Sequence, residues 1–148
     1  MYKKILVPLD GSELAECVLP HVETITNGCG ISEVVFVRVY EPLHAVAQDY
    51  ILPEDSQQKG IEIAKNYLNN IKEKVKYDNA IVSSTVLVGR APEGIADYAS
   101  KNNFDLIVIA THGHSGLSRW VWGGVADRIL RSASIPVLMV RAPGSAPR

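Results

Sequence analysis

"DLIVIATHGHSGLSRWVWGGVADRIL", Asp105 to Leu130, passes from a branched apolar run through a loop with four glycines into an amphipathic stretch. Leu106, Ile107, Val108 and Ile109 follow one another without polar alternation, the pattern of a short strand covered on both faces. Val125, Ile129 and Leu130 recur at helical spacing behind Gly123 and Gly124, so a helix starts just after the glycine pair. Strand, glycine loop and helix in that order form the repeating unit of a parallel sheet.

The same unit recurs on either side. "KILVPL" (Lys4 to Leu9), "EVVFVRVY" (Glu33 to Tyr40), "AIVSSTVLV" (Ala80 to Val88) and "IPVLMVR" (Ile135 to Arg141) are further branched runs of strand length. Between them, Leu14, Val18, Val22 and Ile25 mark one helix, with Pro20 predicting a kink or early break within it. Ile61, Ala64, Leu68, Ile71 and Val75 mark a longer one, and Ile95, Ala96 and Ala99 a third that Pro92 opens at its first turn. "EPLHAVAQDYILPEDS" (Glu41 to Ser56) has two prolines and no clear period, and reads as a loop. The alternation predicts one doubly wound α/β domain over residues 1–141, a five-stranded parallel sheet between helical layers. The small, proline-rich end "APGSAPR", residues 142–148, is expected to be disordered.

Composition narrows the partners. Lys and Arg number 15 against 16 Asp and Glu, without a basic block, so neither nucleic acid nor an anionic membrane surface is expected. "MYKKILVPLD" is too short an apolar run for a signal peptide or a spanning helix. Cys17 and Cys29 lack metal-type spacing and are not expected to pair, which fits a reduced, cytoplasmic setting.

Ligands of such sheets bind outside the carboxyl ends of the strands, where strand order reverses. Two strand ends carry unusual polar residues, "VPLDGS" after the first strand and "ATHGHSG" after the fourth; if these strands are neighbours, both loops line one crevice. Asp10 can accept hydrogen bonds from a ribose or an adenine amine, or cap the first helix in a capping box with Glu13. Gly11 and Ser12 read as ordinary turn residues. Gly113 and Gly116 can turn backbone N–H groups inward as an anion nest, while Gly123 and Gly124 precede a helix start that attracts negative charge. The competing reading is a loop whose glycines serve turning alone. No P-loop and no dinucleotide fingerprint is present. "GHSG" is not a nucleophile elbow, so a triad of Asp10, His112 and Ser115 is disfavoured, as is a metal held by His112 and His114. Trp120 and Trp122 lie between the glycine pairs and read as loop anchors.

"ILVPLDGS", "GRAPEGI" and "DLIVIATHGHSGLSRWVWGGVADRILRSASIPVLMVR" closely resemble the universal stress protein family, over nearly the whole chain from Lys3 to Arg141. The resemblance implies a sheet order of 3-2-1-4-5, which places the first and fourth strands side by side. It also implies a homodimer paired through the last strand, Val137 to Val140. ATP-binding members carry Gly, two residues, Gly, nine residues, Gly, then Ser or Thr. This pattern falls on Ala110, Gly113, Gly123 and Gly124, so Ala110 replaces the first glycine and Gly124 the hydroxyl residue. By resemblance, Pro8, Asp10 and Val39 would hold adenine and ribose, and Gly113, His114, Gly123, Gly124 and Val125 the phosphates through their backbone. The ligand implied is ATP or AMP, with Mg accompanying ATP. The leading expectation is a cytoplasmic stress-response regulator that binds an adenine nucleotide and acts on a regulatory protein partner that the sequence does not name. The rivals are a dimeric interaction protein that binds no nucleotide, favoured by Ala110 and Gly124, and a slow nucleotide hydrolase, for which only His112, His114 and Asp10 are on offer.

Overall fold

The computed structural model describes residues 1–42, 54–111 and 124–143. Five parallel strands, β1 (Lys4–Pro8), β2 (Glu33–Tyr40), β3 (Ile81–Val88), β4 (Leu106–Ala110) and β5 (Val137–Val140), form one sheet in the order β3-β2-β1-β4-β5. Four helices connect them: α1 (Leu19–Cys29), α2 (Glu54–Lys74), α3 (Ala91–Lys101) and α4 (Val125–Ser132). The doubly wound architecture is the one the sequence pattern predicts, and the strand order is the one the resemblance implies.

Successive side chains of a strand point to opposite faces, and β1 shows what that demands of a central strand. Ile5, Val7 and Leu9 pack with Val18, Val22, Leu68 and Ile71 from the side of α1 and α2. Leu6 faces the other way, with Val35 and Val37 of β2, Ile95 and Ala99 of α3 and Ile129 of α4. Both faces are dry, so Ile5, Leu6 and Val7 are all 0% exposed. Each such side chain contributes about 1.5–3 kcal/mol by leaving water. The edges are less covered: Ile81 and Val88 at the ends of β3, and Leu138 of β5, are exposed.

Three boundaries differ from the sequence reading, each for a local reason. A 3-10 turn over Ala15–Val18 precedes α1, so Pro20 sits in the helix's first turn, where its missing N–H has no intrahelical acceptor to lose. The break comes before the proline rather than at it. Helix α2 begins at Glu54, earlier than its apolar stripe, because residues 55–59 are all exposed and carry no hydrophobic period. Gly60 inside α2 admits a close approach to β2: a Cβ there would lie 2.8 Å from Tyr40 Cζ. Ala142, expected to open the tail, is buried and donates its N–H to Thr111 Oγ1 at 3.3 Å, while residues 144–148 lie outside the described set. Cys17 and Cys29 are both free.

Asp105 fixes how β4 meets β1. Its Oδ2 accepts the backbone N–H groups of Lys3 and Lys4, each at 2.8 Å, and its own N–H donates to Lys4 O at 2.9 Å. Those two backbone bonds hold the carboxyl below its ordinary value. The sign follows directly: a depressed carboxylate contributes stability that is complete above about pH 5 and is lost as the pH falls through its folded value. Asp105→Ala is therefore expected to cost about 1–3 kcal/mol at pH 7. In urea titrations the gap to the unaltered protein should shrink at pH 3; an equal gap at both pH values would rule out the charged carboxylate as its source.

Candidate functional site

The sheet opens where the strand order reverses. β1 pairs with β2 over five positions, from Lys4↔Glu33 to Pro8↔Val37, but with β4 only at Ile5↔Leu106 and Leu6↔Ile107. Backbone groups of adjacent strand residues point to opposite neighbours, and Leu9 donates its N–H to Val37 O of β2 at 2.8 Å. The position before it therefore faces β4, and there Pro8 has no N–H to give. The β1–β4 ladder stops at Leu6↔Ile107, two positions short of Pro8. Ala110 ends β4, 6% exposed, and Thr111 N–H, one residue on, is taken by Val140 O of β5 at 2.8 Å. By the same alternation the N–H of Ala110, the last of β4, faces β1.

The turn leaving β1 differs from the expected capping box. Asp10 Oδ1 accepts the backbone N–H of Ser12 at 2.9 Å and its hydroxyl at 2.5 Å. Ser12 Oγ in turn accepts the N–H of Ala15 at 3.2 Å. Ser12, not Asp10 with Glu13, supplies the oxygen at the start of the helical turn, and Asp10 is held by the turn it closes. Gly11 between them has φ +89°, a conformation that disfavours any side chain. Neither Gly11 nor Ser12 is incidental.

Of the other residues singled out, Val39 lies one position before the end of β2 and packs on the α3 and α4 side, the face that Leu6 shares. Pro8 is buried at the end of β1. Gly124 caps α4 in extended conformation (φ −62°, ψ 165°), its carbonyl accepting Arg128 N–H at 3.0 Å, and Val125 opens the helix 44% exposed. Gly113, His114 and Gly123, with His112, Ser115, Gly116, Trp120 and Trp122, lie outside the described residues. The fold thus brings Pro8, Asp10, Val39 and Ala110 to the carboxyl end of one sheet.

Two contacts on this rim are not legible in the sequence. Glu41, just beyond β2, reaches across to accept Ala91 N–H with Oε1 at 2.7 Å, so α3 receives its capping oxygen from a distant carboxylate rather than from Arg90. Glu93 in the first turn of α3 pairs with Arg128 of α4 at 2.5 Å, tying the two helices on one face. Both partners of that pair are about half exposed, so its net worth is small. Among the described residues no group of three or more His, Cys, Asp or Glu could hold a metal ion, and no helix is long and apolar enough to cross a membrane.

Comparison with known proteins identifies the architecture. The family model described as the universal stress protein family matches residues 1–141. Universal stress protein MJ0577 of Methanocaldococcus jannaschii is 28% identical over 160 residues, covering 98% of each chain. Universal stress protein MJ0531 of the same organism is 30% identical over 147 residues, covering 97% of this chain and 84% of its own. The solved structure of MJ0577 superposes with a TM-score of 0.83 at 30% identity, covering 98% of this chain and 99% of that one. A family match across the chain and a shared fold at this level lead to one conclusion: this chain belongs to the universal stress protein family.

Proposed function

We propose that the chain is a stress-response regulator of the cytoplasm that binds an adenine nucleotide, ATP or AMP, between the carboxyl ends of β1 and β4. The early end of the β1–β4 ladder before Pro8 is the observation that carries this reading, because the reversal of strand order is where open α/β sheets take their ligands. Pro8 and Val39 offer apolar contact for adenine, and Asp10 a carboxylate for ribose or the base amine. The N-terminus of α4 at Gly124 and Val125, with Gly113, His114 and Gly123 before it and Ala110 at the strand end, would meet the phosphates through backbone N–H groups. Mg would enter only with ATP, held by the phosphate oxygens rather than by a protein-made cage.

Related folds lend support. Universal stress proteins have been solved with cAMP, with AMP (from Arabidopsis thaliana) and with dAMP (from Archaeoglobus fulgidus), at TM-scores of 0.63, 0.68 and 0.60. Their identities of 16%, 16% and 20% speak for the fold, and the bound nucleotides are theirs.

Gly124 separates ATP from AMP. With glycine at the position of the hydroxyl residue, adenine, ribose and the first phosphate should carry most of the affinity, and ATP should bind within about tenfold of AMP. The site tolerates the missing group: a Cβ on Gly124 would meet nothing within 4 Å, and its extended backbone suits a capping serine. Gly124→Ser should strengthen ATP binding by about 1.5–3 kcal/mol through a charge-assisted hydrogen bond, and AMP binding far less. Calorimetric titration of both nucleotides against both proteins decides this. No binding by either overturns the nucleotide reading; equal gains for AMP and ATP overturn the placement of residue 124 beside the terminal phosphate.

The second reading, assembly, rests on the other end of the sheet. β5 is an edge strand of four residues without charge or proline, and Leu138 on it, like Leu130 and Val125 of α4, is exposed. Such an edge is completed by a second copy of itself around a two-fold axis. Met139→Asp and Leu138→Pro should each sediment as folded monomers where the unaltered protein sediments as a dimer; a dimer that persists in both would remove Val137 to Val140 from the interface.

A further inference from the structure

β2 delivers two neighbours to the rim: Val39 on the face of α3 and α4, and Arg38 on the face of α1 and α2. Arg38 is a cation set inside the apolar run "EVVFVRVY", where a charge is itself a signal. Its guanidinium lies against Gly11. A Cβ on Gly11 would stand 2.9 Å from Arg38 Cζ, 2.9 Å from Nη1 and 3.0 Å from Nη2. Three atoms of one planar group at nearly equal distance mean that the plane faces the place a side chain on Gly11 would take. On α2, the ring of Tyr67 has its centroid 5.2 Å from Arg38 Cζ, within the range of a cation–π contact. Arg38 makes no hydrogen bond or ion pair among the described residues, so packing and charge define what it does. The Tyr67 hydroxyl is buried and has no hydrogen-bond partner among the described residues. Burial raises the Tyr67 phenol, the carboxylates of Glu16 and Asp10 raise it further, and Arg38 opposes them, so all four groups share one neighbourhood. Lys74 engages Glu16 at 3.4 Å.

We propose that Arg38 is a positioning residue for the crevice: its guanidinium, in contact with Gly11 and with the ring of Tyr67, fixes the Asp10–Ser12 turn and thereby the carboxylate offered to the nucleotide. The functional half of this proposal rests on the nucleotide reading; the geometric half does not. A flat group backing Gly11 restrains a residue already in the left-handed region, and Asp10 and Ser12 are the two ends of the turn it restrains. The cation also favours the charged form of a nearby carboxylate. Tyr67 carries the influence of α2 to the nucleotide side of the sheet. A lysine keeps the charge but not the plane, so it should replace Arg38 only in part.

The test uses Arg38→Met, which keeps an apolar stem, Arg38→Lys, and Asp10→Asn, alone and combined with Arg38→Met. In unliganded protein, the amides of Ser12 and Ala15, bound to Asp10 Oδ1 and Ser12 Oγ, should exchange with solvent roughly tenfold faster in Arg38→Met, with a smaller change in Arg38→Lys. AMP affinity should fall roughly tenfold in Arg38→Met. Adding Arg38→Met to Asp10→Asn should then cost little more, because both act through one carboxylate. Unchanged exchange at both amides overturns the geometric claim. An affinity loss that persists in full in the Asp10→Asn background overturns positioning through Asp10. If the unaltered protein binds neither AMP nor ATP, the nucleotide reading fails together with the functional half, and amide exchange alone decides whether Arg38 fixes the turn.

Discussion

A proline at the end of a central strand is the constraint on which the rest depends. β1 is flanked by β2 and β4 and covered on both faces, so its backbone groups have no water to turn to and must be paired by neighbouring strands. Pro8 removes one donor on the β4 side, and the chain meets the deficit by ending the β1–β4 ladder at Leu6↔Ile107. Everything offered to a ligand follows from that release. Leu9 stays bound to β2, Asp10 enters a turn closed by Ser12, and Thr111, just past β4, donates to β5. A residue able to donate at position 8 would favour continued pairing and narrow the gap.

What closes the sheet at its amino end is as specific as what opens it at the other. Asp105 binds the N–H groups of Lys3 and Lys4, and Lys3 O accepts the N–H groups of Ser32 and Glu33 at 2.9 and 3.1 Å. The three central strands are therefore pinned below, while above β1 stays paired with β2 and its ladder with β4 ends early. Helices then set the rim: the carboxylate of Glu41 holds the start of α3, Arg128 joins α4 to α3, and Arg38 links the β1 turn to α2. The rim is built from contacts between elements far apart in sequence.

That difference explains how much could be read beforehand. The strands were legible because a parallel strand covered on both faces must be an unbroken branched apolar run, as in "KILVPL" and "DLIVIA". Their order came from family resemblance, not from the runs themselves. The start of α2 was not legible, since an exposed stretch such as "DSQQK", residues 55–59, has no hydrophobic period. The break before Pro20 was anticipated but misplaced, because a proline is tolerated once the helix is restarted just ahead of it. Asp10 reads from the sequence as a carboxylate open to a ribose or base amine, or to a capping box with Glu13; in the structure the hydroxyl two residues on competes better at short range. Glu41, Arg38 and Tyr67 act across 20 to 50 positions of sequence, where spacing carries no information. The glycine loop falls outside the described residues, so its part in the crevice rests on the resemblance and on the proposal above.

The central claim, that the gap between β1 and β4 receives an adenine nucleotide, is tested most directly by following backbone amide resonances of isotope-labelled protein while AMP is added. Saturable shifts are predicted for Leu9 to Ser12, Val39, Thr111 and Gly124 to Ala126, on both sides of the gap and at the start of α4. Shifts centred instead on the cleft lined by Leu19, Glu23, Lys74 and Tyr77 would contradict it, as would the absence of any saturable change.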